Sequence, residues 1–174
     1  MGIDGRTLRH TAGQFATGVT VVAVRTDGTV RAMTANSFSS LSLDPPLVLF
    51  CVGRQTRVGQ QIHAASGFSI NILSAGQQDL STYFAGAWKS DLPPSFTLLD
   101  WKGGPRLEGA AASLGCEMHA IHEGGDHWIV IGRVIATHRP SIAPPPLVFH
   151  GGGYTALQET RVLVPETWFE GIGW

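Results

Sequence analysis

Cysteine is scarce in this chain, and clustered basic residues are missing from it. The only two cysteines among 174 residues are Cys51 and Cys116, each within a stretch typical of a buried strand. We expect two inert core thiols, because a disulfide needs Cα atoms within about 7 Å and a reducing cytosol disfavours it. Twelve Lys and Arg against thirteen Asp and Glu give a net charge of −1. Without a basic cluster, a nucleic-acid partner is not expected.

Long apolar runs are also missing. The longest one, residues 47–52, is far short of the roughly 20 residues that span a bilayer, so no membrane insertion is expected. The first residues carry Asp4 and Arg6 where a secretory signal needs an apolar core, which indicates a cytoplasmic protein.

Several familiar catalytic motifs are absent. No G-x-G-x-x-G follows a predicted strand, and neither a P-loop nor a G-x-S-x-G elbow occurs. His119 and His122 stand three apart in a predicted strand and therefore point to opposite faces, as do Cys116 and His119. We therefore expect no metal site.

The residues that are present predict one domain over 1–174, beginning with a short helix and a β-hairpin. Asp4 is a candidate N-cap for a helix with Leu8, Ala12 and Phe15 on one face, and Gly18 is expected to end it. Two β-prone runs, 19–24 and 30–34, flank the dipeptide 27–28, Asp-Gly, which is typical of a tight hairpin.

The middle of the chain predicts two strands and two short helices. Residues 47–52 are continuously apolar after Pro45 and Pro46, which favours a central strand buried on both faces. Residues 57–65 favour a short helix ending at Gly67, and residues 68–72 alternate like a half-buried strand. Ser74 and Gln77 match a capping box for a second helix, which Gly86 would end.

The last third predicts more antiparallel strands. Residues 113–122 and 128–135 read as two arms of a hairpin around the Gly-Gly pair at 124–125, and 147–149 form a last strand. The tail, 164–174, holds three large aromatic residues and is expected to pack on its own barrel or on a second subunit. The inventory predicts a mainly β fold: an antiparallel, closed or nearly closed β-barrel with a few short peripheral helices.

Three polar clusters are candidates for a binding site. Residues 34–42 form a hydroxyl-rich loop that could approach a planar polar ring, although an ordinary serine-rich connection explains them as well. Residues 53–57, Gly-Arg-Gln-Thr-Arg, suit a phosphate, or are simply a solvated loop. His127 follows a Gly-Gly-Asp turn at a strand end, where it could face a ligand or serve only the structure.

Six segments in this order resemble the flavin reductase family with the split-barrel flavin-binding fold, the small partners of two-component flavin-dependent monooxygenases. They are 14–19, 34–46, 68–73, 124–127, 132–134 and 146–149 with Tyr154. The resemblance implies a Greek-key split β-barrel, usually a homodimer. It also implies an NAD(P)H-dependent reductase that moves a hydride from nicotinamide C4 to flavin N5 and supplies reduced flavin to a partner monooxygenase.

The resemblance also implies a role for particular residues. The flavin ring and ribityl chain would lie against a group in the hydroxyl-rich loop: Thr34, Ala35, Asn36, Ser37, Phe38, Ser40 and Leu41. The phosphate would be held by Gln55, Thr56 and Arg57. His127, with Tyr154 close by, would place the nicotinamide. FMN or FAD, and NADH or NADPH, stay open at this stage.

Two alternatives stay open beside the reductase. A non-enzymatic flavin-binding electron carrier could use the same barrel, and it would have no need of a histidine over the ring. An oxidase of the pyridoxamine-phosphate type is disfavoured, because its substrate phosphate needs basic residues and Arg133 stands alone.

Overall fold

Short strands and two α-helices make up residues 2–157, which are the residues that this computed structural model describes. The helices are α1 (Gly5–Ala12) and α2 (Gln78–Phe84), with 3₁₀ turns at Ile62–Ala64 and Ala75–Gln77. The strands are, in chain order: β1 (Thr17–Gly18), β2 (Thr20–Thr26), β3 (Thr29–Ala35), β4 (Ser39–Leu43), β5 (Pro46–Gly53), β6 (Gly67–Ile72), β7 (Leu98–Leu99), β8 (Arg106–Leu107), β9 (Ala112–Gly124), β10 (His127–His138), β11 (Val148–His150) and β12 (Gly153–Thr155).

The main sheet has seven antiparallel strands in the order β3-β2-β6-β9-β10-β5-β4. A smaller sheet orders β1-β11-β12, and β7 pairs with β8. The predicted mainly β, antiparallel class with few short helices is confirmed. Within residues 2–157, β3 and β4 stand at opposite ends of the ladder, so the sheet is open. Closure into a barrel stays a prediction.

The first helix starts as predicted but ends early. Asp4 Oδ1 accepts the backbone N–H groups of Arg6 at 2.9 Å and Thr7 at 3.0 Å, which satisfies two free donors at the helix start. The expected extension to Gly18 is wrong, because α1 ends at Ala12 and Thr17–Gly18 pair with β11 instead. Phe15 is 77% exposed and belongs to no buried helical face.

The predicted hairpins are confirmed. β2 and β3 pair around Asp27 and Gly28, whose φ angles of 49° and 73° are both left-handed, as a two-residue type I′ turn requires. β9 and β10 form the second, longer hairpin. Ser74 N–H donates to Gln77 Oε1 at 3.1 Å ahead of α2, so the capping interaction predicted there is present.

The order of burial along the sheet corrects two predictions. β5 is not central: only β4 lies beyond it, and its residues alternate between buried Val48, Phe50 and Val52 and half-buried neighbours. The strand covered on both faces is β6, which lies between β2 and β9 and in which all residues but Ile72 are buried. The continuously apolar run 47–52 thus forms a strand with one covered face. The alternating run 68–72 is covered on both faces, and its polar side chains are hydrogen-bonded in the interior.

Two smaller predictions also change. The helix expected over 57–65 reduces to the 3₁₀ turn Ile62–Ala64, preceded by hydrogen-bonded turns. Both cysteines are free as expected. Cys116 is buried, which raises the pKa of its thiol to about 12, but Cys51 is only half-buried. None of the helices in 2–157 is long and apolar enough to cross a membrane. The aromatic tail predicted to pack, 164–174, lies outside the described residues.

Candidate functional site

The end of β5 is fastened to the start of β10. Gly53 lies opposite His127 in the β5–β10 register, and the Arg54 N–H donates to the Asp126 carbonyl at 3.0 Å. Thr56 Oγ1 donates to the Gly53 carbonyl at 2.8 Å and accepts the Gly59 N–H at 3.0 Å, which closes the turn after β5. Two of the predicted clusters, 53–57 and His127, are therefore neighbours.

The His127 imidazole is held in one orientation. Its Nδ1 lies 2.7 Å from Asp126 Oδ1, and 47% of its side chain is exposed. The contact requires hydrogen on Nδ1, because the ionised carboxylate of Asp126 is the acceptor, and it leaves Nε2 on the opposite side of the ring. The hydrogen bond and the coulombic interaction with His127, with a smaller contribution from the charge of Arg54, lower the pKa of Asp126, so its carboxylate is ionised at neutral pH.

Gly53 keeps the space beside that imidazole open. A Cβ built on Gly53 would lie 3.3 Å from Thr56 Cγ2 and 3.8 Å from His127 Nε2. Any larger side chain would fill the gap between the two residues. The absence of a side chain therefore lets a flat group approach Nε2.

Arg54 completes this end of the sheet, and sequence reasoning assigned it no site role of its own. Its guanidinium lies 4.1 Å from the centre of the Trp128 ring and 3.2 Å from Glu123. Its Nε is buried without a hydrogen-bond partner among the residues the structure describes. A buried N–H donor left free is unusual in a folded protein, and it is typical of a position that awaits a ligand or a water molecule.

The hydroxyl-rich loop uses several of its hydroxyls within the protein. Ser37 Oγ accepts from the Cys51 N–H at 3.0 Å and lies 3.1 Å from the Cys51 carbonyl, which fixes the loop onto β5. Thr34 Oγ1 donates to the Ser81 carbonyl at 2.7 Å, which fixes the end of β3 onto α2. These two hydroxyls set the path of the backbone, whereas Ser40 is exposed on β4.

A cavity of about 660 Å³ lies between β3, the turn after β5 and the end of α2; we call it the β3–α2 cavity. It brings together three predicted site residues, Thr34, Thr56 and Arg57. Its other lining residues were not predicted as site residues: Val30, Arg31, Ala32, Met33, Val58, Tyr83, Phe84, Ala85 and Gly86. The one signal for them was the aromatic pair that ends the predicted second helix.

The remaining predicted site residues lie apart from this cavity. Asn36 and Phe38 line a smaller cavity of about 340 Å³ with residues 15–18. Ala35 is buried, and Ser40 and Leu41 are exposed on the edge strand β4.

Gln55 and Tyr154 also lie outside the β3–α2 cavity. Gln55 is exposed in the turn after β5. Tyr154 was expected close to His127, but the described contacts join it to Ser81 Oγ at 2.8 Å and to the Phe149 ring at 5.6 Å.

The β3–α2 cavity suits a phosphorylated, partly aromatic ligand. Its volume falls within the roughly 300–1,000 Å³ usual for small-molecule sites. Two arginines line it with apolar and aromatic side chains, and no carboxylate within residues 2–157 does. Beside it, the free Nε of Arg54 and the space over Gly53 offer room and a donor. The residues present therefore fit a flavin with its phosphate.

Comparison with known proteins agrees with this chemistry. Residues 12–158 match the family described as flavin reductase like domain. A curated relative from Mycobacterium tuberculosis, the reductase subunit HsaB of a flavin-dependent monooxygenase, is 38% identical over 95% of this chain and 89% of its own length.

Two solved structures are also similar. Flavin reductase PheA2 superposes with a TM-score of 0.84 at 35% identity, covering 90% of this chain and all of that one (100%). The Streptomyces globisporus NADH:FAD oxidoreductase SgcE6, in complex with NAD and FAD fragments, gives 0.79 at 37% identity over 91% of this chain and 98% of that chain.

Proposed function

This chain belongs to the flavin reductase family, and from that premise we propose that it is an NADH-dependent flavin reductase that supplies reduced flavin to a separate monooxygenase. The observation that carries the proposal is the junction of β5 and β10. There His127, oriented by Asp126, lies over an open glycine next to a turn that suits a phosphate. Relatives that carry the names of NADH-dependent reductases support NADH as the donor.

The proposed roles follow this layout. The flavin ring and ribityl chain contact one group of residues: Thr34, Ala35, Asn36, Ser37, Phe38, Ser40 and Leu41. Gln55, Thr56 and Arg57 hold the phosphate, and His127 with Tyr154 places the nicotinamide. When bound, the flavin supplies the ring that accepts the hydride, and its chemistry needs no protein nucleophile or strong base. The protein contributes binding and orientation.

A Greek-key split barrel, a homodimer and a cytoplasmic location complete the proposal. The outer face of β5 supports a second subunit, because Leu47, Leu49 and Cys51 are only half-buried there. On the neighbouring edge strand, Leu43 is 71% exposed. Sedimentation of the full chain that gave a monomer at micromolar concentration would contradict the dimer.

One experiment tests the function directly. The purified protein is mixed with NADH or NADPH and with FMN, FAD or riboflavin, and the loss of nicotinamide absorbance is followed. We expect flavin-dependent oxidation of NADH. Oxidation with no pair, together with a yellow colour retained through dialysis, would overturn the reductase and leave the electron carrier.

A further inference from the structure

We infer that Arg31 is a second phosphate-binding arginine, which together with Arg57 makes the β3–α2 cavity selective for flavins that carry a phosphate ester. This inference rests on the proposed function. Neither its position in the sequence nor the family resemblance assigned Arg31 a role. The two arginines lie on different walls of the cavity, one on β3 and the other in the turn after β5.

Arg31 is held in place by a neutral partner. Its Nε donates to Gln61 Oε1 at 2.7 Å, and the same oxygen accepts the Thr26 hydroxyl at 2.8 Å. The bond occupies Nε and fixes the plane of the guanidinium, so the terminal nitrogens stay available. Because Gln61 is uncharged, the positive charge of Arg31 is not neutralised by the residue that positions it.

The charge of the cavity favours an anion. Three arginines elsewhere pair with carboxylates: Arg25 with Asp100, Arg54 with Glu123 and Arg133 with Glu117. Among residues 2–157, no ion pair involves Arg31 or Arg57. A chain of net charge −1 therefore concentrates two positive charges in one cavity, which no carboxylate of the described residues lines. Guanidinium groups are well suited to phosphate oxygens, to which they donate in pairs.

The Kd values of three flavins distinguish contacts with the phosphate ester from contacts with the ring. Riboflavin has no phosphate, FMN has one and FAD has a pyrophosphate, and all three share the same isoalloxazine ring. In Arg31→Gln, which removes the charge but keeps a polar side chain, we expect Kd for FMN and FAD to rise about tenfold, the worth of one charge-assisted contact. Kd for riboflavin should stay within about twofold, since the ring contacts are untouched.

The measurement is equilibrium quenching of flavin fluorescence without nicotinamide, so it does not depend on turnover. Arg31→Lys should recover part of the loss, because it restores the charge without the fork. Arg133→Gln is the matched control, since that arginine is exposed on β10 and paired with Glu117. An equal rise for all three flavins in Arg31→Gln, or no rise for any, would overturn the inference.

Gln61 gives a second, independent test of positioning. Gln61→Glu keeps an acceptor for Arg31 Nε but neutralises its charge, so binding of FMN and FAD should weaken while riboflavin binding does not. Inorganic pyrophosphate should raise the melting temperature of the wild type but not of Arg31→Gln or Gln61→Glu. An equal rise in all three proteins would place the anion away from Arg31.

Failure of this inference differs from failure of the proposed function. A wild type that binds none of the three flavins contradicts the function and this inference together. A wild type that binds flavin and oxidises NADH, beside Arg31 variants without any dependence on the ester, contradicts only the role of Arg31.

Discussion

The buried strand β6 and the end of the β5–β10 pair both contain polar side chains, and they are packed in opposite ways. At β6, Asn71 and Ser69 are wholly buried, and every hydrogen-bonding atom of the Asn71 amide group has a partner. At the β5–β10 end, His127 and Asp126 are largely exposed, and Arg54 keeps a buried Nε free. Polar side chains complete the interior in one region and are left available in the other.

Glycines show the same contrast. A Cβ on Gly132, within β10, would lie 2.4 Å from the ring of Phe68 on β6 and 2.8 Å from Cys116 Cβ, so the glycine allows close packing. A Cβ on Gly53 would lie 3.3 Å from Thr56 Cγ2 and 3.8 Å from His127 Nε2, so this glycine leaves free the space beside the imidazole that a methyl group would occupy. The comparison teaches that close packing around β6 specifies the fold, whereas the β5–β10 end keeps exposed polar groups and open space beside His127.

The largest effect is expected at Asn71. Its Oδ1 accepts the Leu107 N–H and the Ser113 hydroxyl, both at 2.9 Å, and its Nδ2 donates to the Val21 carbonyl at 3.1 Å. Asn71→Leu leaves these buried groups unpaired, at about 1–3 kcal/mol each. We therefore expect a loss of about 4 kcal/mol in the free energy of unfolding, measured by urea denaturation.

Asn36→Leu is the matched control for that change, because Asn36 is exposed. Its effect on unfolding should stay within about 0.5 kcal/mol. A loss below about 1 kcal/mol in the free energy of unfolding of Asn71→Leu would contradict the view that the buried hydrogen bonds of Asn71 specify the fold.

The paired glycines come next. Gly132→Ala forces a methyl group against the buried Phe68 ring, and overpacking of this kind costs about 1–3 kcal/mol in unfolding free energy. Gly53→Ala should leave stability within about 0.5 kcal/mol but reduce kcat/KM for NADH roughly tenfold, by filling the space beside His127. Thermal melting and steady-state kinetics on both variants check the pair. A loss of stability in Gly53→Ala and a loss of kcat/KM alone in Gly132→Ala would contradict this contrast between the two glycines.

A smaller and more specific effect is expected at His127. His127→Ala should raise the KM for NADH about tenfold while kcat changes less, because the imidazole places the donor and does no chemistry itself. The exposed side chain makes few packing contacts, so the melting temperature should not change. His119→Ala, an exposed histidine on β9, should match the wild type in both respects. An unaltered KM for NADH in His127→Ala would remove that residue from the site.

The elements that the sequence predicts best are those specified by neighbours along the chain. Asp27 with Gly28 requires a left-handed turn, and Ser74 with Gln77 caps a helix, whatever the rest of the chain does. Burial is different, because it depends on which segment covers a strand. Residues 103–107 lie across β6, where the Pro105 carbonyl accepts the Ser69 hydroxyl. No periodicity within β6 reveals that cover.

The candidate site divides in the same way. His127 with Asp126 and residues 53–57 were each predicted at a strand end, and the structure shows that these two ends are neighbours. Their role in a site stays a prediction. Arg31 and Tyr83 were missed as lining residues, because β3 and α2 are about 50 residues apart in the chain and meet only in the folded structure, where Thr34 Oγ1 donates to the Ser81 carbonyl. Long-range pairing of this kind leaves no local pattern.

The smallest effect is expected at Asp126. Two substitutions there distinguish the orientation that Asp126 gives the His127 imidazole from the effect of its negative charge. Asp126→Asn keeps an oxygen that can accept the His127 Nδ1–H, so we expect the KM for NADH to rise only about threefold, as an exposed ion pair would allow. Asp126→Ala removes that acceptor too, and its KM should approach that of His127→Ala.

The pH profile sharpens this last comparison. A lowered pKa keeps Asp126 ionised from neutral pH down through its ordinary range, so its contribution is constant between pH 5 and 8 and is lost only as the pH falls through the lowered value. Added salt should reduce the difference in KM for NADH between Asp126→Asn and the wild type, because screening weakens the interaction of an exposed charge. A KM for Asp126→Asn as high as that of Asp126→Ala would mean that the carboxylate acts as a charge beside the donor rather than as a support for the imidazole.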